Sequence, residues 1–164
     1  MKEQIPDFLE ILKVLSKHKV DFIIVGGVCA VLHGAPVSTF DLDLVHSRSP
    51  ENLSRLMSAL EELEAYYRGR EDRRLKPQLS HLSSPGHQLL ITRVGPLDML
   101  GTIGKGHDYE GLRKHTLELE IEGLPLRMLA LDALIRIKKE TITDKDKATL
   151  PILERTLEEK AEKP

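Results

Sequence analysis

The sequence predicts an α/β fold: a mixed central sheet flanked by helices, with a helical C-terminal part. Three observations carry this expectation. Residues 22–45, FIIVGGVCAVLHGAPVSTFDLDLV, read as strand, glycine turn, helix, loop and strand. Short apolar runs punctuated by glycine and proline follow between residues 78 and 129 and read as further strands. Amphipathic helical spacing marks both ends of the chain. The 164 residues suffice for one domain, with a core over about 20–128 and a helical part over about 129–164.

In order, residues 4–18 form the first helix. Phe8, Leu9, Ile11, Leu12 and Leu15 face inward, and Pro6 is tolerated in the first turn. Phe22–Val25 is a buried strand, Gly26-Gly27 a sharp turn, and Val28–His33 a short helix broken by Gly34-Ala35-Pro36. The second strand runs from about Phe40 to Val45, with Phe40, Leu42 and Leu44 toward the core. Ser49 caps a helix with Pro50 in its first turn, expected to reach Tyr67. Residues 68–77 read as a solvated loop, with an acceptor-side basic patch for RNA phosphates (Arg68, Arg70, Arg73, Arg74 and Lys76) as the alternative. Three strands follow: 78–82, 87–94 with Leu89, Ile91 and Val94 inward, and 97–100. Residues 101–106 read as a mobile glycine loop, and His107–Glu110 as surface. His115–Ile121 alternates as an outer strand, Leu124–Leu129 pairs back, and helices follow over 131–139 and up to 157.

Composition narrows the function. Hydrophobic residues make 40% and charged residues 30%, a globular balance, and the net charge of −2 excludes a chain that binds nucleic acid by charge alone. The single Cys29 allows no internal disulfide and suits a reducing compartment. No apolar run approaches the ~18 residues of a membrane span. The expectation is a cytoplasmic protein without a membrane partner.

The chemistry lies in the second strand. Asp41 and Asp43 stand two residues apart, which puts both carboxylates on one face of a strand. Paired acids repel, and a divalent cation resolves the conflict; hard oxygen ligands with room for phosphate suit magnesium. Asp98 is a third acid, set in the apolar strand LDML, where burial demands a partner.

The glycine pair followed by Asp41-Leu42-Asp43 resembles the signature of the nucleotidyltransferase superfamily, whose fold is shared by DNA polymerase beta. It is closest to the small bacterial minimal nucleotidyltransferases and to the toxins of the AbiEii type. The resemblance implies that Asp41, Asp43 and Asp98 hold one or two Mg2+ ions, with Asp98 also serving as a base, and that Gly26 and Gly27 cradle the phosphates of an NTP. It places Thr39 in the nucleotide site, matches Lys138 to an inward lysine of the family and matches Lys145-Asp146 to its Lys-Asp pair. Val37 stands where many of the toxins carry arginine, which removes a phosphate partner. The implied activity is transfer of a nucleoside monophosphate to a hydroxyl on tRNA or protein, with a possible cognate antitoxin. The alternatives are a small-molecule (antibiotic) acceptor and an inactive nucleotide-binding pseudoenzyme or interaction module.

Overall fold

Local signals set the first elements. In the computed structural model, which describes residues 7–69 and 73–162, α1 spans Phe8–Lys17. Its cap is Asp7, whose carboxylate accepts the Glu10 N–H at 3.0 Å. The expected start at residue 4 and Pro6 lie outside the described residues. β1 (Phe22–Val25) is buried throughout, and α2 (Gly26–Leu32) leaves it without a loop. β2 (Leu42–His46) leads to α3 (Pro50–Glu62), which begins as expected: the Ser49 hydroxyl accepts the Asn52 N–H at 3.2 Å. The helix stops short of Tyr67. Glu64 turns left-handed (φ 55°), and the Ala65 N–H returns to the Leu60 carbonyl at 3.0 Å, which closes the helix end. Tyr66–Tyr67 then form β3, not the end of a helix.

Residues 78–82 also depart from expectation. They form α4 (Leu79–Leu82), because Leu79 and Leu82 fit a helical spacing and Gln78 and His81 cap each other reciprocally. β4 (His87–Thr92) and β5 (Gly95–Leu100) are antiparallel neighbours. The glycine loop is a small hairpin, β6 (Thr102–Ile103) with β7 (His107–Asp108). In α5 (Tyr109–Leu112) Tyr109 is buried, not at the surface. β8 (Thr116–Ile121) and β9 (Leu124–Leu129) precede α6 (Leu131–Lys138) and the long α7 (Asp144–Glu162).

Seven strands form one mixed sheet in the order β3-β4-β5-β2-β1-β9-β8, which puts β2 at its centre. β2 runs antiparallel to β1 and parallel to β5. Leu42 and Leu44 of β2 and Leu97 and Met99 of β5 are fully buried. β4 is buried on that same face, through Leu90 and Thr92; the alternate residues expected inward include Leu89, which is 45% exposed. The opposite face of the sheet is therefore open along β4, and Asp98 stands directly across from Leu89 on it. No helix among the described residues is long and apolar enough to cross a membrane.

Candidate active site

Strand pairing brings the predicted acids together. Asp43 and Asp98 are register partners on the parallel strands β2 and β5, and Val25, the last residue of β1, is the partner of Asp43 on the other side. The next residue, Gly26, has φ +68°, and a Cβ there would stand 2.3 Å from Asp43 Oδ2. A Cβ on Gly27 would stand 2.5 Å from Thr39 Oγ1. Glycine is required at both places because the two side chains lie against bare backbone. The Thr39 hydroxyl donates to the Asp41 carbonyl at 3.1 Å, so it shapes the approach to β2.

Asp41 itself is not on the strand. β2 begins at Leu42, and Phe40, expected in the core, is 75% exposed. The reason lies in the neighbours. β1 has already turned into α2, and on the β5 side the residue before Leu97 is Pro96, which offers no N–H to extend the ladder. Asp41 is thus a loop residue beside the strand pair.

The pair is electrostatically strained. Asp98 is only 6% exposed. Burial, a hydrogen bond to Asp98 and the charges of Asp98 and Asp41 push Asp43 up to about 7; Lys145 pulls the other way. Asp98 is also raised by burial, opposed by the hydrogen bond from Asp43 and by Arg68. Burial and mutual proximity thus hold both carboxyls above the ordinary carboxylate range. Arg68 is the site residue that sequence reasoning missed. Its Nη2 lies 2.9 Å from Asp98 Oδ1, and its Nη1 lies 3.9 Å from Asp41 Oδ1. The short contact is chiefly Coulombic. Within its loop Arg68 resembled any solvated arginine. Only the ladder reveals it: the Arg68 N–H donates to the carbonyl of Leu89, the residue opposite Asp98.

Lys138 of α6 and Asp43 line one cleft of about 160 Å3, together with Gly26 and Asp146. The Lys138 ammonium is 3.3 Å from Asp146 Oδ1. The predicted Lys145 is exposed, near enough to lower Asp43. Ile103 and Gly104 of the small hairpin close the cleft's other wall, pinned by Glu140, which accepts the Lys105 N–H at 3.1 Å and pairs with His107 at 2.9 Å. This segment is a tethered hairpin, where a mobile loop was expected. Val37 packs half-buried against the core and presents no charge. Arg48 donates to the Ser83 carbonyl beyond the opposite end of β2. Larger hollows of about 480 and 730 Å3 elsewhere are lined by none of the predicted site residues.

As a metal site, Asp43 and Asp98 offer hard oxygens beside bare backbone, a donor set that fits a divalent cation. Among the described residues no group of three His, Cys, Asp or Glu stands at metal-holding spacing. The fit is therefore to a pair of acids, with Asp41 alongside Arg68.

No protein-family model and no curated protein sequence matches the chain. Solved structures do. A Thermotoga maritima protein described as a candidate nucleotidyltransferase superposes with a TM-score of 0.52 at 17% identity, over 92% of this chain and 90% of its own. The lincosamide antibiotic adenylyltransferase LnuA, solved with lincomycin, gives a TM-score of 0.58 at 13% identity over 89% and 93%. ANT(2")-Ia, solved with adenylyl-2"-tobramycin, gives a TM-score of 0.57 at 18% identity over 94% and 90%. The chain has the nucleotidyltransferase fold. Within that fold the seven-stranded sheet carries Asp43 and Asp98 side by side at its middle, and Asp43 lines the cleft between the start of α2 and the end of α6.

Proposed function

We propose that the protein is a nucleotidyltransferase that moves a nucleoside monophosphate from an NTP to a hydroxyl acceptor. The observation that supports this most is the register pairing of Asp43 with Asp98 against the bare backbone of Gly26. Asp43 and Asp98, with Asp41 at the margin, are the residues to hold Mg2+. When bound, the ion supplies Lewis-acid stabilisation of phosphoryl oxygens and a lowered hydroxyl pKa. The chain's own groups do the rest. Asp98 is placed to accept the acceptor's proton, and Lys138 and Lys145 offset charge on the phosphates. The hydroxyl attacks the α-phosphorus in line, and pyrophosphate leaves.

The acceptor side is the open sheet face beside Asp98, running over Leu89 to the edge strand β3, where Arg74 lies 5.5 Å from the Tyr66 ring. The cations of the 68–77 loop, Arg68, Arg73, Arg74 and Lys76 among the described residues, support a macromolecular hydroxyl on tRNA or protein, with an antitoxin as partner. A small hydroxylated acceptor is the second reading, favoured by the two antibiotic-modifying enzymes among the structural neighbours.

The test is a thermal shift with each of the four nucleoside triphosphates, with and without magnesium, on the native protein and on Asp43→Asn. A ligand of the native state raises the melting point by mass action. The expected result is a magnesium-dependent shift with at least one triphosphate, abolished in Asp43→Asn. No shift at millimolar triphosphate sinks the enzyme reading and the nucleotide-binding pseudoenzyme alike, and leaves the interaction module. The triphosphate that shifts, labelled at its α-phosphate, then separates RNA, protein and small-molecule acceptors.

A further inference from the structure

Asp43 and Asp98 stand side by side at the end of the β2–β5 pair with Asp41 at their margin, and Arg68 is the cation among the described residues that pairs with Asp98 and Asp41. Arg68 reaches Asp98 at 2.9 Å and Asp41 at 3.9 Å. Its side chain is anchored from behind, where Nη1 donates to the Leu90 carbonyl at 3.1 Å. Its backbone is anchored too, by the N–H donated to the Leu89 carbonyl at 3.0 Å. The guanidinium is thus aimed into the acidic cluster by the edge of the sheet. In its 2.9 Å contact with Asp98 the attraction of charge leads over the hydrogen bond. Such a contact is easily traded for a better anion. Meanwhile the loop before β2 contributes no cation, because Val37 is turned into the core.

We infer that Arg68 is the resident counter-cation of this cluster and exchanges partners during binding: it leaves Asp98 and Asp41 to a divalent ion and takes the triphosphate instead. This rests on the nucleotidyltransferase reading above and adds a residue to it. A guanidinium suits the second role because its planar donors match phosphate oxygens in pairs. It also suits the first, since it neutralises the acids until the ion arrives.

The two roles make opposite predictions for one substitution. Arg68→Gln leaves the acids without their neighbour. It should bind Mn2+ alone about tenfold more tightly, the size expected from one adjacent opposite charge. The same variant should bind inorganic tripolyphosphate, in the presence of Mg2+, about tenfold more weakly. Free Mn2+ is read by electron paramagnetic resonance, tripolyphosphate by calorimetry, and neither depends on turnover. A merely structural arginine would weaken both or change neither, and either result overturns the exchange. Asp43→Asn separates this from failure of the site itself. If Mn2+ binding is lost in Asp43→Asn but unaltered in Arg68→Gln, only the exchange falls. If the native protein and Asp43→Asn bind Mn2+ equally, or both not at all, the metal reading falls with it. Should Arg68→Gln melt early, Arg68→Lys carries the same comparison, with both changes smaller and of the same sign.

Discussion

At the residue scale, two buried histidines link the core to pH. His46 donates Nε2–H to the Leu82 carbonyl at 2.8 Å, and its Nδ1 has no partner, so a second proton there would be buried without an acceptor. His33 donates Nε2–H to the Leu129 carbonyl at 2.8 Å, and its Nδ1 accepts from Lys160 at 2.7 Å. Burial, first of all, pulls both below the ordinary 6.5. The unfolded chain then binds protons that the folded chain refuses. The histidines' contribution is complete above about 6.5 and declines as pH falls from there through the folded values, whereas Asp43, raised to about 7, contributes with the opposite sign over the same range. The readout is therefore the difference between two urea-denaturation series: the native protein should lose more stability than His46→Gln as pH falls below about 6.5. A slope unchanged by the substitution would remove His46 from the account. Cys29 is a further buried titrating group. Burial pushes its thiol up to about 12, and its Sγ donates to the Leu129 carbonyl at 3.2 Å. It packs as a small apolar residue in the core.

At the element scale, the small hairpin β6–β7 shows how a tether changes the character of a segment. Its glycines suggested mobility, and Gly104 does take φ +58°. Yet a Cβ at Gly104 would stand 2.7 Å from Glu140 Oε1, so the glycine is there for close approach to the turn after α6. Replacing Glu140 with alanine removes the acceptor for Lys105 N–H and the partner of His107. Amide exchange should quicken over residues 102–108 and stay unchanged in β2 and β5; equal protection in both proteins would show that the hairpin holds itself. The elements misjudged from sequence share a cause. Strand 78–82 and helix 50–67 were read from spacing that two structures satisfy, and the end caps of Gln78 with His81 and of Glu64 decided between them. β4 was read with the wrong inward set because apolar residues occupy both of its faces, Leu90 in the core and Leu89 in the open.

At the scale of the molecule, the central strand is where stability and function meet. Leu44 is fully buried in β2, one residue from Asp43. Leu44→Ala should cost roughly 2–5 kcal/mol of unfolding free energy by transfer and cavity terms. We expect a single denaturation transition in both proteins, because α7 packs on α6 and Lys160 ties it to His33 of α2. Two separate transitions would divide the helical C-terminal part from the core as an independent unit.

Patterns a few residues long were enough to reveal the strand–glycine–helix–strand unit at 22–45, the candidacy of Asp41, Asp43 and Asp98, and the helical character of both ends. Only the tertiary structure decided which acids are partners, that Asp41 stands off the strand with Phe40 in solvent, that Lys138 faces the same cleft as Asp43, and that Arg68 reaches Asp98. Those facts depend on the pairing of β2 with β5 and of β3 with β4, segments far apart along the chain. Separation in sequence carries no distance until the strands are in register, and register is set by burial across the whole sheet.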